Sequence, residues 1–437
     1  MSIPDTLDGW LAHVERLHHR PIDMSLERVR DVAKRLGIAF ACPVFMVGGT
    51  NGKGSTCAML ESILRAAGYR VGLYTSPHLL RFNERVRIDG VEADDRALIE
   101  QLAAVEQARG AVPLTYFEFT TLAILRLLMR ARLDAVVLEI GLGGRLDAVN
   151  IVDADVSIVT SVDIDHTDFL GPTREHIGFE KAHIYRPGRP AICSDPQPPA
   201  ALLKVAADLG ADLWLFGRDF NYAGLDYGKG LQQWAYGGRQ QRRASLPYPA
   251  LRGANQLLNA SGALAALEVL ADRLPISQQA VRTGLLTVEI AGRFQVLPGQ
   301  PAIVLDVAHN PHAAAVLAQN LDSQGFFPQT YAVFGMLADK DATGVIRRVR
   351  DRIDHWHVGP TPGPRGMSAA HLASLLRAEG ATSVAEHATL ADAYRAALGA
   401  AQADARIIVF GSFSTAAEVM RQRQVTDAPS SASRQGG

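Results

Sequence analysis

Residues 44–55, Val-Phe-Met-Val-Gly-Gly-Thr-Asn-Gly-Lys-Gly-Ser, join four apolar positions to a turn holding four glycines, a pattern open to few folds. Val44 to Val47 read as a buried strand, and Gly48, Gly49, Gly52 and Gly54 let backbone N–H groups approach an anion without obstruction from Cβ. Beyond the turn, Leu60, Ile63, Leu64 and Ala67 fall at i, i+3, i+4 and i+7, which predicts a helix from near Ser55 to Gly68. Its positive N-terminal end then faces the turn, with Lys53 beside it as a point charge, and the whole reads as a phosphate cradle. The competing reading is a glycine-rich strand-to-helix turn with no ligand.

The common P-loop pattern G-x-x-x-x-G-K-[ST] does not fit. Aligning Gly52 and Lys53 with its GK puts Val47 at the first glycine and Gly54 at the Ser/Thr position. What remains is a shorter loop of Gly49, Thr50, Asn51, Gly52, Lys53, Gly54 and Ser55, which resembles the loop of ATP-dependent ligases that join amino acids to carboxylates.

The rest of the chain repeats the strand-helix alternation. Val71–Thr75, Ala135–Leu138, Val156–Val162 and Ala191–Cys193 are buried-strand candidates, and Phe119–Arg130 a helix, as in a mostly parallel sheet covered by helices. Residues 210–250 interleave aromatics, Tyr227 among them, with Gly and Asp, which predicts short antiparallel strands at the edge of this domain. After Gly292 a second set begins: strands Ala302–Leu305, Tyr331–Phe334, His355–Val358, Ser383–Ala385 and Arg406–Phe410, separated by helical patterns. At 437 residues two domains are expected, 1–290 and 291–425, with 426–437 a disordered Ser/Gly/Pro/Gln-rich tail. The fold class is therefore α/β: an N-terminal P-loop ATPase-like domain with a mostly parallel sheet, and a smaller Rossmann-like C-terminal domain.

A net charge of -1 provides no broad basic field, so nucleic acid is not an expected partner. The N-terminus lacks a basic start followed by an apolar run, and no stretch nears 18 apolar residues, so a cytoplasmic protein without membrane insertion is expected. Cys42, Cys57 and Cys193 lack metal-ligand spacing and read as reduced core residues.

Ligands of such sheets sit at the C-terminal ends of the strands. Thr75-Ser76-Pro77-His78 follows one strand, Glu139 follows another, and Asp163 to Asp168, including His166, follow a third. An acid directly after a strand beside a nucleotide suits Mg²⁺, which binds through one or two carboxylates and phosphate oxygens. Taken singly, Glu139 also reads as a helix cap and His166 as a satisfied histidine. Lys181, in Phe179-Glu-Lys-Ala-His183, is placed early in a helix, where a solvated lysine is the usual reading. Asp306, His309 and Asn310 lie where a strand meets a helix, with a plain N-cap as the competing reading.

These stretches together resemble the folylpolyglutamate synthase family, most closely its bacterial members that double as dihydrofolate synthases, within the Mur ligase superfamily. The matching segments run in family order over roughly residues 20 to 420. They include Gly49–Ser55, Thr75–Leu79, Tyr116–Phe119, Glu139–Ala148, Asp165–Asp168, Glu180–Ala182, Gly253–Gln256, Gly292–Phe294, Asp306–Pro311, Gly335–Leu337, Asp339–Asp341 and Gly411–Phe413.

The resemblance implies that the loop from Gly49 to Ser55 holds ATP phosphates, with Asn255, Arg293, Asp306 and His309 as further ATP contacts. It implies that Ser76, Glu139, His166 and a carbamylated Lys181 ligate Mg²⁺, and that Lys53, Glu139, His166 and Lys181 serve catalysis. Thr115, Tyr116, Phe117 and Glu118, with Leu146, Asp147 and Ala148, match the pteroate-binding surface. The implied reaction is ATP-dependent ligation of L-glutamate to dihydropteroate and to reduced folates through an acyl phosphate, by a monomer. Phe179, His183 and Ser414 stand where the family usually has Arg, Gly and His. The nearest rival, a peptidoglycan-building Mur ligase, carries an extra N-terminal domain, and 48 residues before Gly49 are too few for one. Two more rivals are a single-activity folylpolyglutamate synthase and a non-catalytic nucleotide-binding module.

Overall fold

The computed structural model describes residues 4–19, 23, 25–226, 232–253 and 255–427. The chain divides into two compact units, residues 1–250 with 255–289, and residues 251–254 with 290–437.

The first unit is built on an eight-stranded sheet: β1 (Val44–Gly48), β2 (Val71–Tyr74), β3 (Val86–Ile88), β4 (Val91–Glu92), β5 (Ala135–Glu139), β6 (Val156–Val159), β7 (Pro190–Cys193) and β8 (Asp212–Leu215), in the order β4-β3-β2-β5-β1-β6-β7-β8. The strands from β2 to β8 in that order are parallel, while β3 and β4 add an antiparallel edge hairpin. Helices on the two faces leave no residue of β1, β5 or β6 exposed, which is why these strands read as mostly apolar runs, with the buried Ser157 of β6 satisfied by donating to Ile184 O at 2.8 Å. β1 lies between β5 and β6, so chain order reverses there, and the register pairs Val47 with both Glu139 and Ile158. That crevice is where a doubly wound sheet binds ligands. Trp10, Val29, Leu98, Phe119 and Leu138 belong to the core cluster of this unit.

Some elements differ from the sequence expectation. The strand expected over Val156–Val162 stops at Val159, because Thr160 and Ser161 turn aside to hydrogen-bond the glycine loop. β2 stops at Tyr74 rather than Thr75, where Ser76-Pro77 is a cis peptide. The helix expected from Phe119 starts at Tyr116, because Thr115 and Glu118 close a capping box ahead of it. Trp214 lies on β8, parallel to β7, and only β9 (Asn221–Asp226), β10 (Gln232–Gly237) and β11 (Arg242–Pro247) form the antiparallel sheet expected in this region. Tyr227 lies outside the described residues. Cys57 and Cys193 are buried and Cys42 half-buried, all three as free thiols.

The second unit is a six-stranded sheet of β12 (Gln295–Leu297), β13 (Ala302–Leu305), β14 (Thr330–Phe334), β15 (His355–Val358), β16 (Val384–Glu386) and β17 (Arg406–Phe410), in the order β12-β13-β17-β14-β15-β16. All pairs are parallel except the antiparallel edge β12, too short and half-buried to announce itself as a periodic run. Two core clusters, one around Phe334, Trp356 and Leu372 and one around Leu305, Leu390 and Val419, hold its helices. The last helix, Phe413–Asp427, runs into the stretch expected to be disordered; residues 428–437 lie outside those described. No described helix is long and apolar enough to cross a membrane.

Candidate active site

The glycine turn is locked by the segment after β6. Thr50 N–H donates to Ser161 O at 2.7 Å, Asn51 N–H to Ser161 Oγ at 3.1 Å, and Thr160 Oγ1 donates to the carbonyls of Gly48 and Asn51 at 3.2 and 2.7 Å. Thr50 Oγ1 accepts from Asp163 N–H at 3.0 Å. Gly49 has φ 145° and a Cβ there would lie 1.9 Å from Thr160 Oγ1, while at Gly52, φ 90°, it would lie 2.5 Å from Asn259 Oδ1. Both positions therefore exclude a side chain on conformation and on space. The helix Lys53–Ala66 starts at once, with Gly52 as N-cap, so its first amides point out of the helix toward the turn and present an anion-binding end. Sequence reading missed Thr160, Ser161 and Asn259, because the first two extend an apolar run and the third lies on a helix far along the chain.

Two lysines converge on one carbonyl of this turn. Lys53 Nζ donates to Gly49 O at 3.0 Å and to Thr50 O at 3.3 Å, and Lys181 Nζ donates to Gly49 O at 2.9 Å. Lys181 is 4% exposed, so the solvated reading of this side chain fails. Burial first, then the like charge of Lys53, outweigh Asp165 and Asp147 and push its pKa down to about 7. Lys181 lies in the last turn of the helix Arg174–Ala182, not early in it, because Thr173 rather than a later residue caps the helix start through His176 N–H.

Phe179 and His183, the two residues expected to depart from the family pattern, pack on each other at 4.5 Å between ring centroids, and His183 Nδ1 donates to Phe179 O at 2.7 Å. They are one helical turn apart from each other and two residues away from Lys181 on either side, so they share a face that Lys181 does not.

Glu139 is buried at the end of β5, and its Oε2 accepts from Ser76 N–H at 3.2 Å, joining the ends of neighbouring strands. His166 adopts a left-handed conformation, φ 52° and ψ 43°, as N-cap of a short helix, with Nε2 3.9 Å from Asp165 Oδ2. Holding a histidine in that region costs strain, and such strain gathers at functional sites. Among the described residues no group of three His, Cys, Asp or Glu is arranged to hold a metal. A carboxylate and a hydroxyl are nevertheless hard oxygen donors of the kind Mg²⁺ or Mn²⁺ takes, with the balance supplied by phosphate and water.

Thr115 caps the helix Tyr116–Arg130, and Glu118 accepts from Thr115 N–H at 2.8 Å while pairing with Arg28 at 2.8 Å. The Glu118 carboxylate is thus committed to structure, which leaves the half-buried Tyr116 and Phe117 as the open members of that segment. Phe117 packs so closely on Gly141 that a Cβ there would lie 2.6 Å from its ring, and Asp147 approaches the same point. Asp147 Oδ2 accepts from Leu142 N–H at 2.7 Å and Oδ1 from Val149 N–H at 2.9 Å, yet complete burial raises its pKa to about 6. Leu146 is half-buried and Ala148 buried beside it. Asn255 precedes the helix Gln256–Val269, whose Gln256 Nε2 lies 3.5 Å from Ser55 Oγ and whose Asn259 backs Gly52.

In the second unit, Asp306 is half-buried directly after β13, and its carboxylate accepts from Phe294 N–H at 2.9 Å and Ala308 N–H at 2.7 Å. Burial raises its pKa, against the lowering pull of Arg293. The N-cap of the following helix is Asn310, whose Oδ1 accepts from Ala313 N–H at 2.9 Å, so the plain N-cap reading does not hold for Asp306. The Arg293 guanidinium lies 5.6 Å from the Phe413 ring centre and His309 stands 6.3 Å from the same ring.

Comparison with known proteins gives one pattern. Residues 47–267 match the Mur ligase middle domain and residues 292–413 the Mur ligase glutamate ligase domain. The chain is 45% identical over 416 residues to the dihydrofolate synthase/folylpolyglutamate synthase of Escherichia coli strain K12, covering 95% of this chain and 94% of that protein. Among solved structures it resembles E. coli FolC in complex with DHPP and ADP, with a TM-score of 0.91, 44% identity, and coverage of 98% and 99%. It also resembles a bifunctional folylpolyglutamate synthase/dihydrofolate synthase with Mn, AMPPNP and L-glutamate bound, with a TM-score of 0.89, 43% identity, and coverage of 97% and 100%.

Proposed function

The chain belongs to the Mur ligase family, in its dihydrofolate synthase/folylpolyglutamate synthase branch, and from that premise we propose how its residues carry out glutamate ligation. The enzyme joins L-glutamate to dihydropteroate, forming dihydrofolate, and to folates, forming folylpolyglutamates. A carboxylate at neutral pH is a poor electrophile, so it first takes the γ-phosphoryl group of ATP, leaving ADP and an acyl phosphate. The α-amine of L-glutamate then attacks that carbonyl, and phosphate departs with the C–O bond electrons as the amide forms.

Phosphoryl transfer depends mostly on positioning and on neutralising charge spread over the equatorial oxygens. Lys53, Gly52, Gly54 and Ser55 at the helix start provide both, with Gly49, Thr50 and Asn51 shaping the turn. Asn255, Arg293, Asp306 and His309 are assigned as further ATP contacts. The pterin is assigned to Thr115, Tyr116, Phe117, Leu146, Asp147 and Ala148. Glu118 acts there by holding the capping box.

The enzyme uses a divalent metal, which we assign as Mg²⁺, held by Ser76, Glu139, His166 and Lys181 as its carbamate; when bound, it neutralises phosphate charge. The observation that carries this assignment is Lys181 itself. An amine must be neutral to add CO₂, and a lysine held near pKa 7 is neutral in about half of the molecules at neutral pH, whereas an ordinary lysine near 10.4 is almost wholly protonated. The carbamate replaces a cation with an oxygen donor at a buried place. We further assign the protein to the cytoplasm and to a monomeric state.

The test is direct. Purified protein incubated with MgATP, labelled glutamate and either dihydropteroate or a reduced folate should put label into a pteroate product with each acceptor. ATP binding without product from either would reduce the protein to a nucleotide-binding module. Product from reduced folate alone would make it a single-activity synthase. Intact-mass measurement at neutral pH should find one added CO₂, absent from Lys181→Ala.

A further inference from the structure

We propose that a cavity of about 330 Å³ in the first unit, lined by no residue of the glycine turn, is a second anion site that takes a small dianion of the phosphate or dicarboxylate type. Arg30, Arg145, Asn150, Asp153, His183 and Arg186 line it, and neither the turn residues 49–55 nor Glu139 nor Lys181 does.

The three guanidiniums are not equivalent. Arg186 is spent on structure: it donates to Asp153 at 2.6 Å and to the carbonyls of Asn150, Val152, Ile184 and Tyr185 at 2.9 to 3.3 Å. Arg145 gives Nε and Nη2 to Glu180, the latter at 2.9 Å, and keeps Nη1 unused among the described residues. Arg30 is exposed on the helix Glu27–Leu36, and its side chain makes no hydrogen bond or ion pair with any described residue. Asp153 is the one acid in the lining; its side chain is 88% exposed and already answers Arg186.

Among the described residues, the walls thus hold one cation with no counter-ion and a second with an N–H edge left open. Clustered guanidiniums in a concave site repel one another until an anion neutralises them, and the concavity focuses their field. Planar guanidinium forks select oxyanions with two or more oxygens over halide. Phosphate and a dicarboxylate share that chemistry, and the experiment separates them.

The full chain, saturated with MgADP so that the glycine turn is filled, is titrated calorimetrically in low-salt buffer with inorganic phosphate and, separately, with glutarate. One-site binding of at least one anion is expected. Arg30→Glu should weaken it about tenfold or more and Arg30→Ala by about threefold, with MgADP affinity unchanged. Arg30 has no side-chain partner to lose among the described residues, and melting curves of both variants check that they fold. Binding of phosphate alone names the site a phosphate site, and binding of glutarate alone a dicarboxylate site. Failure of both anions to bind, or binding undiminished in Arg30→Glu, overturns the proposal.

Discussion

The ends of β1 and β13 face similar tasks and solve them differently. In the first unit the end of β1 is a backbone device: Gly49 and Gly52 take conformations closed to other residues, Thr160 and Asn259 press against them, and Ser161 holds Thr50 and Asn51. In the second unit the end of β13 is a side-chain device, with the Asp306 carboxylate bracing two backbone amides beside Arg293, His309 and Phe413. A backbone device fails when any Cβ is added, whereas a side-chain device fails by degrees.

Gly49→Ala tests the sharper half of that contrast. Its Cβ would collide with Thr160 at a φ of 145°, so ligation should fall more than about a hundredfold while the chain stays folded. Lys181→Ala should cost about a hundredfold, with part of the activity restored by added short-chain carboxylate, which would stand in for the carbamate oxygens. If no carboxylate restores any activity and intact mass shows no added CO₂ in the parent, the carbamate assignment falls.

Asp306→Ala should be milder. Leaving the amides of Phe294 and Ala308 unpaired should cost about 1–3 kcal/mol in the melting of the second unit and raise the KM for ATP about tenfold. Equal losses from Gly49→Ala and Asp306→Ala would break the comparison.

Acid should separate the units as well. In the second unit His357 is 9% exposed, with Nδ1 3.1 Å from His387 Nε2. Burial, then His387 and His355, push its pKa down to about 4. An unfolded histidine protonates near 6.5, so between about 6.5 and 4 the unfolded chain binds more protons. Stability from this group is full above that window and is lost as pH falls through it. The melting temperature of the second unit should drop accordingly, and His357→Gln should flatten the slope. Phe179→Arg should change ligation by less than about twofold, because the ring is exposed and on a different helix face from Lys181. A larger change would tie the helix surface to the proposed metal ligands.

Much of this was readable in the residues because the strands are buried on both faces. Residues 44–47, 135–138 and 302–305 appear as unbroken apolar runs, and a polar residue directly after one, such as Glu139 or Asp306, marks a strand end by contrast. The short edge strands β3, β4 and β12 lack that contrast and went unseen. So did the roles of Thr160 and Asn259, which depend on contacts over more than a hundred residues of chain.

By itself, then, the sequence determined the α/β alternation, the glycine turn at its head and the order of polar residues at the strand ends, because local periodicity and backbone freedom are properties of neighbouring residues. Only the tertiary structure decided what charge Lys181 carries. Its neighbours in the chain say solvated cation; burial beneath the turn, on the same carbonyl as Lys53, makes it an amine near neutrality. A pKa is set by the dielectric and the charges that folding brings within a few ångströms, and no window along the chain contains them.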